Sequence, residues 1–358
     1  MKIGILTFSY PENMNFGAIL QSYATYTFLE SHGYSPVLID YNEETPLRLK
    51  LYIHAILSKF FGIWEFKLFF KKYFKNRTIK CKTKGDLEKL NEELDVFVVG
   101  SDQVWRYLWL KTRVLHYFLD FVDDGAKKIA YAASFGIDKW NEAPSNITEE
   151  IRILINRFHS ISVREYSGVT ICKDIFDVDA LQVLDPSLLL DSPDYDKIIE
   201  KEYMLNSNAF IAKMILDENI ENDIYIKKMA LKLSLSIINI KGKRISLFGK
   251  VFYKLNSIGK WLSFIKKADL VITDSFHCVV FSIIYRKSFI CLGNKTRGLA
   301  RIESLLKLFN LEKRLCLVSN NDLNDVMEYD IINYDNVYSI LNRERLKSTR
   351  FLLNSLQE

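Results

Sequence analysis

Glycine and proline are scarce in this chain, 14 and 6 among 358 residues, which excludes collagenous and low-complexity classes. No stretch approaches the ~18 uninterrupted apolar residues that a membrane-spanning helix needs. The first apolar run stops at Tyr10-Pro11, too brief for the core of a signal peptide, so a cytoplasmic location is expected. Cysteines are few and odd in number: Cys81, Cys172, Cys278, Cys291 and Cys316. None falls in CxxC or another metal-ligand spacing, so they read as reduced thiols rather than a disulfide scaffold or zinc module. No His/Asp/Glu cluster has metal spacing either, and GxSxG and P-loop patterns are missing. What remains is ordinary globular material, 49% hydrophobic and 26% charged. At roughly 150 residues per domain the length suggests two domains.

The charge is distributed unevenly. Residues 45–84 hold eleven Lys/Arg against one acid, Glu65, a local +10 within a chain whose net charge is +5. From Glu65 onward the pattern is helical: Phe66, Phe69, Phe70, Tyr73 and Phe74 recur at i, i+3, i+4, i+7 and i+8, and Lys67, Lys71, Lys72 and Lys75 fill the gaps. Such a helix either lies on an anionic membrane surface or packs its aromatic stripe on the protein's own body with the lysines solvated. Nucleic acid is not expected as a partner, because no recognition motif accompanies the charge.

Short apolar runs alternate with helical patterns along the chain. Lys2–Phe8, Val37–Asp40, Asp95–Val99, Lys128–Ala132, Ile161–Val163 and Leu181–Leu184 read as strands, with a helix over 17–31 after the first. A turn-forming cluster, Asp191-Ser192-Pro193-Asp194, marks a boundary. Beyond it come a strand at Ala209–Ile215, a helix over 220–233, a strand at Leu235–Ile240, a helix over 257–267, a strand at Leu270–Thr273 and a final helix over 335–356. The pattern is that of right-handed βαβ units with parallel sheets. Domains are expected at 1–191 and 192–334, with 335–358 as a C-terminal helix. In such folds ligands bind at the carboxyl ends of strands.

The strand ends carry the candidate chemistry. In DLVITDSFHCVVFS (269–282), His277 sits where a buried strand gives way to a helix, a position suited to an anion and to proton transfer. The bland alternative is an Asp274/Ser275 cap beside a packed histidine. Gly100-Ser101-Asp102-Gln103 follows DVFVV, with Trp105 and Arg106 just beyond, and is either a cleft-facing loop or an N-cap. Arg164 ends the ISV strand, as an anion clamp or a structural ion pair. Asn15-Phe16-Gly17 opens a helix after the first strand. Lys295, Arg297 and Arg301 cluster near a glycine, as anion ligands or as a solvated loop.

Taken in order, NFGAILQSYA (15–24), VVGSDQVW (98–105), KIAYAASFG (128–136), ISVRE (161–165), VLDPSLLL (183–190), ADLVITDSFH (268–277) and RIESLLKLFNLEKR (301–314) resemble the polysaccharide pyruvyl transferase family. The resemblance implies a GT-B-like fold: two Rossmann-like α/β domains with parallel sheets facing across a cleft, and a C-terminal helix that returns to the first. It implies phosphoenolpyruvate as donor substrate, with no separate cofactor. The pyruvyl group passes as a ketal to a sugar of a surface polysaccharide, on a lipid-linked oligosaccharide at the inner membrane face. His277 carries over as principal catalytic candidate, Arg164 and Ser275 as donor-site residues, and Asp102 and Gln103 on the acceptor side. Where the family has Gly-Thr after the histidine, this chain has Cys278-Val279, which changes how closely the backbone can approach a donor. A donor with a carboxylate and a phosphate needs cations, which Arg164, Lys295, Arg297 and Arg301 supply. The acceptor side is assigned Asn15, Gly17, Ser101, Gln103 and Trp105, with Asp102 as base. Two other readings on the same architecture are a nucleotide-sugar glycosyltransferase and a non-catalytic binding protein.

Overall fold

A computed structural model describes residues 1–11, 14–42, 62–200, 209–247, 250–294, 298–317 and 331–357. Lys295, Arg297 and the start of the basic segment lie outside the described residues. These divide into two compact units. One takes those up to Pro46, from Phe70 to Leu190 and from Leu341 onward; the other takes those from Leu47 to Phe69 and from Asp191 to Ile340.

The first unit is built on six parallel strands: β1 (Lys2–Leu6), β2 (Ser35–Leu38), β3 (Val96–Val99), β4 (Lys127–Ala133), β5 (Ser160–Val163) and β6 (Leu181–Gln182), in the order β2-β1-β3-β4-β5-β6. The central strands are apolar on both faces because helices cover both; all four residues of β3 are buried. The chain leaves β1 toward β2 and returns on the other side to β3, so the carboxyl ends of β1 and β3 form the topological switch point. The helix Phe16–Ser31 is capped by Asn15, whose Oδ1 accepts from the N–H groups of Gly17 (3.0 Å) and Ala18 (3.3 Å). Part of the C-terminal helix Tyr334–Gln357 belongs here. Ser348 Oγ accepts from Leu184 N (3.0 Å) and Arg345 Nη2 donates to Leu190 O (2.8 Å).

The second unit holds five parallel strands, β7 (Phe210–Met214), β8 (Ser236–Asn239), β11 (Leu270–Thr273), β12 (Phe289–Leu292) and β13 (Leu315–Cys316), in the order β13-β12-β11-β7-β8. Between β8 and β11 the chain forms an antiparallel hairpin, β9 (Gly242–Leu247) and β10 (Lys250–Leu255). The switch point lies between β7 and β11. The helix Phe276–Ile284 is buried along its whole length, as a sequence apolar on all sides but for His277 and Ser282 requires.

The basic segment forms a helix over 62–73. Phe66, Phe69, Phe70 and Phe74 are buried, while Lys67, Lys71, Lys72 and Lys75 are exposed. The aromatic stripe therefore packs on the protein's own body, and the lysines form the outward face. Among the described residues, no helix is long and apolar enough to cross a membrane.

Candidate active site

In the second unit the strand ends are tied by one carboxylate. Asp274, directly after β11, is almost fully buried. Its Oδ1 accepts from Leu216 N (2.7 Å); its Oδ2 accepts from Asp217 N (3.2 Å) and from Asn294 Nδ2 (3.0 Å). Leu216 and Asp217 follow β7 and Asn294 follows β12, so the side chain joins the exits of three neighbouring strands. Thr273 Oγ1 adds a bond to Met214 O (2.7 Å) and accepts from Ser275 N (3.0 Å). These bonds set the position at which the helix Phe276–Ile284 begins.

Ser275 is the N-cap of that helix, yet its side chain makes no capping bond. His277 stands in the first turn, mostly buried, with Phe276 edge-on at 5.2 Å between ring centroids. The Arg301 guanidinium lies 5.8 Å from the Phe276 ring centroid. Of the donor-side residues expected from sequence, Ser275 and His277 stand together at the start of this helix, while Arg301 is placed against the Phe276 ring. A hydroxyl and an imidazole thus lie at the positive end of a helix, an arrangement that can bind an anion and move a proton beside it. Cys278 and Val279 are fully buried. Burial pushes the Cys278 thiol up to about 12, so this side chain is core.

A second cluster occupies the first unit's switch point. Gln21 Nε2 donates to Thr7 Oγ1 (2.8 Å), Gln21 Oε1 accepts from Ser101 N (3.1 Å), and Thr7 Oγ1 donates to Ser101 O (2.8 Å). Ser101 Oγ donates to Ala132 O (2.7 Å) and reaches Asp185 Oδ2 at 3.2 Å. Gly100 has φ +105, and a Cβ there would lie 2.4 Å from Tyr131 O, so only glycine fits this exit from β3. Asp102 Oδ1 accepts from Gln103 N (2.9 Å).

Arg164 belongs to this cluster. Its Nη1 donates to Asp185 Oδ2 (2.7 Å), with Asp102 at 3.7 Å and Glu165 at 4.0 Å. Burial opposes the guanidinium charge, but the three carboxylates outweigh it and raise its pKa. Three acids gather around this one buried cation, so Arg164 braces the strand ends in this structure. Trp105 also departs from the expected acceptor contact. It is fully buried, donates from Nε1 to Tyr117 O (2.9 Å) and stacks on Phe118 at 4.7 Å, so it offers no free face. Asn15 and Gly17 serve as a helix cap. Gln103 is buried and its Oε1 accepts from Arg106 Nη1 (3.1 Å).

Sequence reasoning missed Gln21, Thr7 and Asp185 as members of the cluster. Asp185 and Gln21 lie inside VLDPSLLL and NFGAILQSYA, but their partners are set only when the helix Phe16–Ser31 and the exits of β1 and β3 come together. A cavity of about 600 Å³ bounded by Ile155, His159, Asp179, Leu181 and Phe351 lies at the amino ends of β5 and β6 and takes no part in either cluster.

A family model described as polysaccharide pyruvyl transferase matches residues 15–296. A search of curated proteins finds no match. Among solved structures, the chain is similar to a protein assigned as a UDP-N-acetylglucosamine 2-epimerase from Listeria monocytogenes (11% identity, 98% of this chain and 90% of that one, TM-score 0.54). It is likewise similar to the UDP-GlcNAc 2-epimerase of Methanocaldococcus jannaschii (15%, 100% and 99%, TM-score 0.51). The glycotransferase of kitacinnamycin is a third (11%, 99% and 96%, TM-score 0.50). At these identities the likeness establishes the fold, which is GT-B.

Proposed function

The chain belongs to the polysaccharide pyruvyl transferase family, and from that premise we propose that it transfers the pyruvyl group of phosphoenolpyruvate to a sugar of a surface-polysaccharide precursor as a ketal. The observation that carries the reading is the placement of Ser275 as N-cap and His277 in the first turn of a buried helix, at a strand exit fixed by Asp274. His277 protonates the methylene carbon of the donor, which creates an oxocarbenium-like centre at the neighbouring carbon. A sugar hydroxyl attacks that carbon, phosphate departs, and a second hydroxyl closes the ketal. One hydroxyl proton balances the proton given to the methyl group; the other leaves with phosphate. Ser275 and Arg301 hold the donor's anionic groups, together with the Lys295 and Arg297 pair named from sequence. Asp102 is the carboxylate assigned to the acceptor hydroxyl. The route requires neither a metal nor a nucleotide.

The test is phosphate release from phosphoenolpyruvate with and without soluble sugar acceptors, with mass detection of a product heavier by one pyruvylidene group. His277→Gln is expected to lower turnover on the order of 10²-fold or more, the scale of general acid–base catalysis. Wild-type turnover in that variant removes His277 from the chemistry. Absence of phosphate release with every acceptor removes the reaction, as expected for a nucleotide-sugar enzyme or a pure binder.

We assign the acceptor to a lipid-linked oligosaccharide, reached by adsorption of the lysine face of helix 62–73 to an anionic bilayer. Each basic residue near such a surface is worth about 1 kcal/mol. Glutamates at Lys67, Lys71, Lys72 and Lys75 are expected to abolish binding to phosphatidylglycerol vesicles at low salt. Turnover of a water-soluble acceptor should be spared. A wild type that ignores those vesicles refutes the assignment.

A further inference from the structure

Just after β3 the chain carries a ring that the fold braces yet leaves outside. Trp109 is 42% exposed and its neighbour Leu108 47%. The Arg106 guanidinium lies over the Trp109 ring, 4.6 Å from its centroid. Arg106 is itself buried and bridged at both ends: Nη1 donates to Gln103 Oε1 (3.1 Å) and Nη2 to Glu142 Oε1 (3.2 Å). The other oxygen of Glu142 accepts from Leu108 N (3.2 Å), which pins the turn bearing the ring. Gln103 in turn lies against Gly136, where a Cβ would sit 2.1 Å from its Oε1. Gly136 N donates to Glu165 Oε1 (3.1 Å). One continuous run of contacts therefore links Trp109 to the strand-end cluster of Asp102, Arg164 and Glu165.

The Arg106 contact favours one orientation of the ring before any ligand arrives, which lowers the cost of binding. A cation–π contact orients one face, and the exposed remainder is an amphipathic surface. Two exposed apolar side chains flanked by the exposed Lys111 and Thr112 fall far short of the ~1,000 Å² that a stable protein partner requires. They match a single pyranose, whose apolar C–H face stacks on an aromatic ring while its rim hydroxyls seek acceptors. Glu142 supplies such an acceptor beside the ring, since each carboxylate oxygen can take more than one hydrogen bond.

We propose that Trp109 is the stacking platform of an acceptor subsite, holding a pyranose that neighbours the sugar to be modified, with Arg106 and Glu142 as positioning residues. The inference rests on the pyruvyl-transfer reading for the identity of the acceptor, and its test separates the two. Wild type, Trp109→Ala and Trp109→Phe are compared by affinity electrophoresis through gels containing soluble oligosaccharides of galactose, glucose, mannose and N-acetylhexosamines. Retention should be lost in the alanine variant and largely kept in the phenylalanine variant. In turnover, acceptor KM should rise on the order of tenfold for alanine, equivalent to about 1.4 kcal/mol of binding, with the donor KM and kcat unchanged. Trp109→Gln repeats the comparison if the alanine variant does not fold.

Equal retention of wild type and Trp109→Ala, or no retention of wild type, overturns the subsite. Retention that depends on Trp109 without any change in acceptor KM overturns its place on the acceptor path. Retention that depends on Trp109 in a protein that releases no phosphate from phosphoenolpyruvate keeps the glycan platform and removes the transfer reaction.

Discussion

Asp274→Asn perturbs the second unit's strand ends at a single point while preserving side-chain shape. The wild-type carboxylate accepts three hydrogen bonds, two of them on Oδ2, from Asp217 N and Asn294 Nδ2. Asparagine keeps one oxygen. Whichever way the amide turns, its NH₂ group faces at least one backbone donor and cannot accept from it. Hydrogen bonds to a charged acceptor contribute about 1.5–3 kcal/mol each. The variant also escapes the desolvation of a buried charge, so the net loss should be about 2–4 kcal/mol. At a urea slope of roughly 1–3 kcal/mol/M, the unfolding midpoint of that unit should fall by about 1 M or more. Ser275 and His277 follow Asp274 directly, and a displacement of about 1 Å is enough to cost on the order of 10²-fold in turnover. Urea unfolding followed by circular dichroism reads the first effect. Amide hydrogen exchange at Leu216 and Asp217 locates it, and phosphate release under native conditions reads the second. An unchanged midpoint with unchanged exchange at those two amides would refute the reasoning.

Arg164→Met leaves Asp185 and Glu165 buried without their cation; breaking a buried pair costs about 3–5 kcal/mol, so Tm should drop by roughly 10 °C, and an unaltered melt would show the pair to be dispensable. Cys278, its thiol pushed up to about 12 by burial, should resist alkylation at pH 8 until the protein unfolds, and rapid labelling of the native state would contradict its burial. Cys278→Gly should lose about 2 kcal/mol, from helix-interior glycine and lost packing together. Asp120 is held below the ordinary carboxylate value of 3.8: burial opposes its charge, but its bond to His116 and the nearby Lys84 outweigh that. Its contribution is therefore complete above the unfolded value and fades as pH falls through the lower native one. The stability gap between wild type and Asp120→Asn, about 1 kcal/mol at neutral pH and read as a Tm difference, should close in acid, and a gap independent of pH would exclude the ion pair as its source.

The sheets are legible because fully buried parallel strands are written as short apolar runs: Leu270–Thr273 has the bounds its sequence implies, and the strand expected at Lys128–Ala132 is longer by one residue at each end. The hairpin β9–β10 is not legible, since GKRISL and KVFYKL carry two basic residues each and look like a solvated connection. Phe289–Leu292 is only four residues long and is divided from the preceding apolar helix by just Arg286-Lys287-Ser288, so it does not stand out as a separate strand. At the candidate site, strand exits were visible, but their partners were not. Nothing local distinguishes an arginine that clamps a ligand from one held by Asp185, 21 positions later. Likewise Trp105 and Trp109 are equally prominent in sequence, and only packing assigns one to the core and the other to the surface.

The helix over 62–73 shows the same limit in a form that bears on function. Aromatics at i, i+3, i+4, i+7 and i+8 satisfy a membrane interface and a protein interior equally well, because both ask only for one apolar face. With Phe66, Phe69, Phe70 and Phe74 already buried, that face is spent, and no deep insertion remains for it. The outward face is different in kind: Lys67 and Lys71 share a stripe with Trp64, 64% exposed, and Leu68, and the exposed Lys75 follows just beyond the helix. Adsorption through it would be carried by charge, with one indole at the headgroup level. Charge-borne adsorption weakens as the Debye length contracts from about 10 Å at 0.1 M salt to about 3 Å at 1 M, whereas burial of an aromatic stripe would persist. Salt dependence of vesicle binding, more than binding itself, is therefore what distinguishes the observed helix from the one its periodicity suggested.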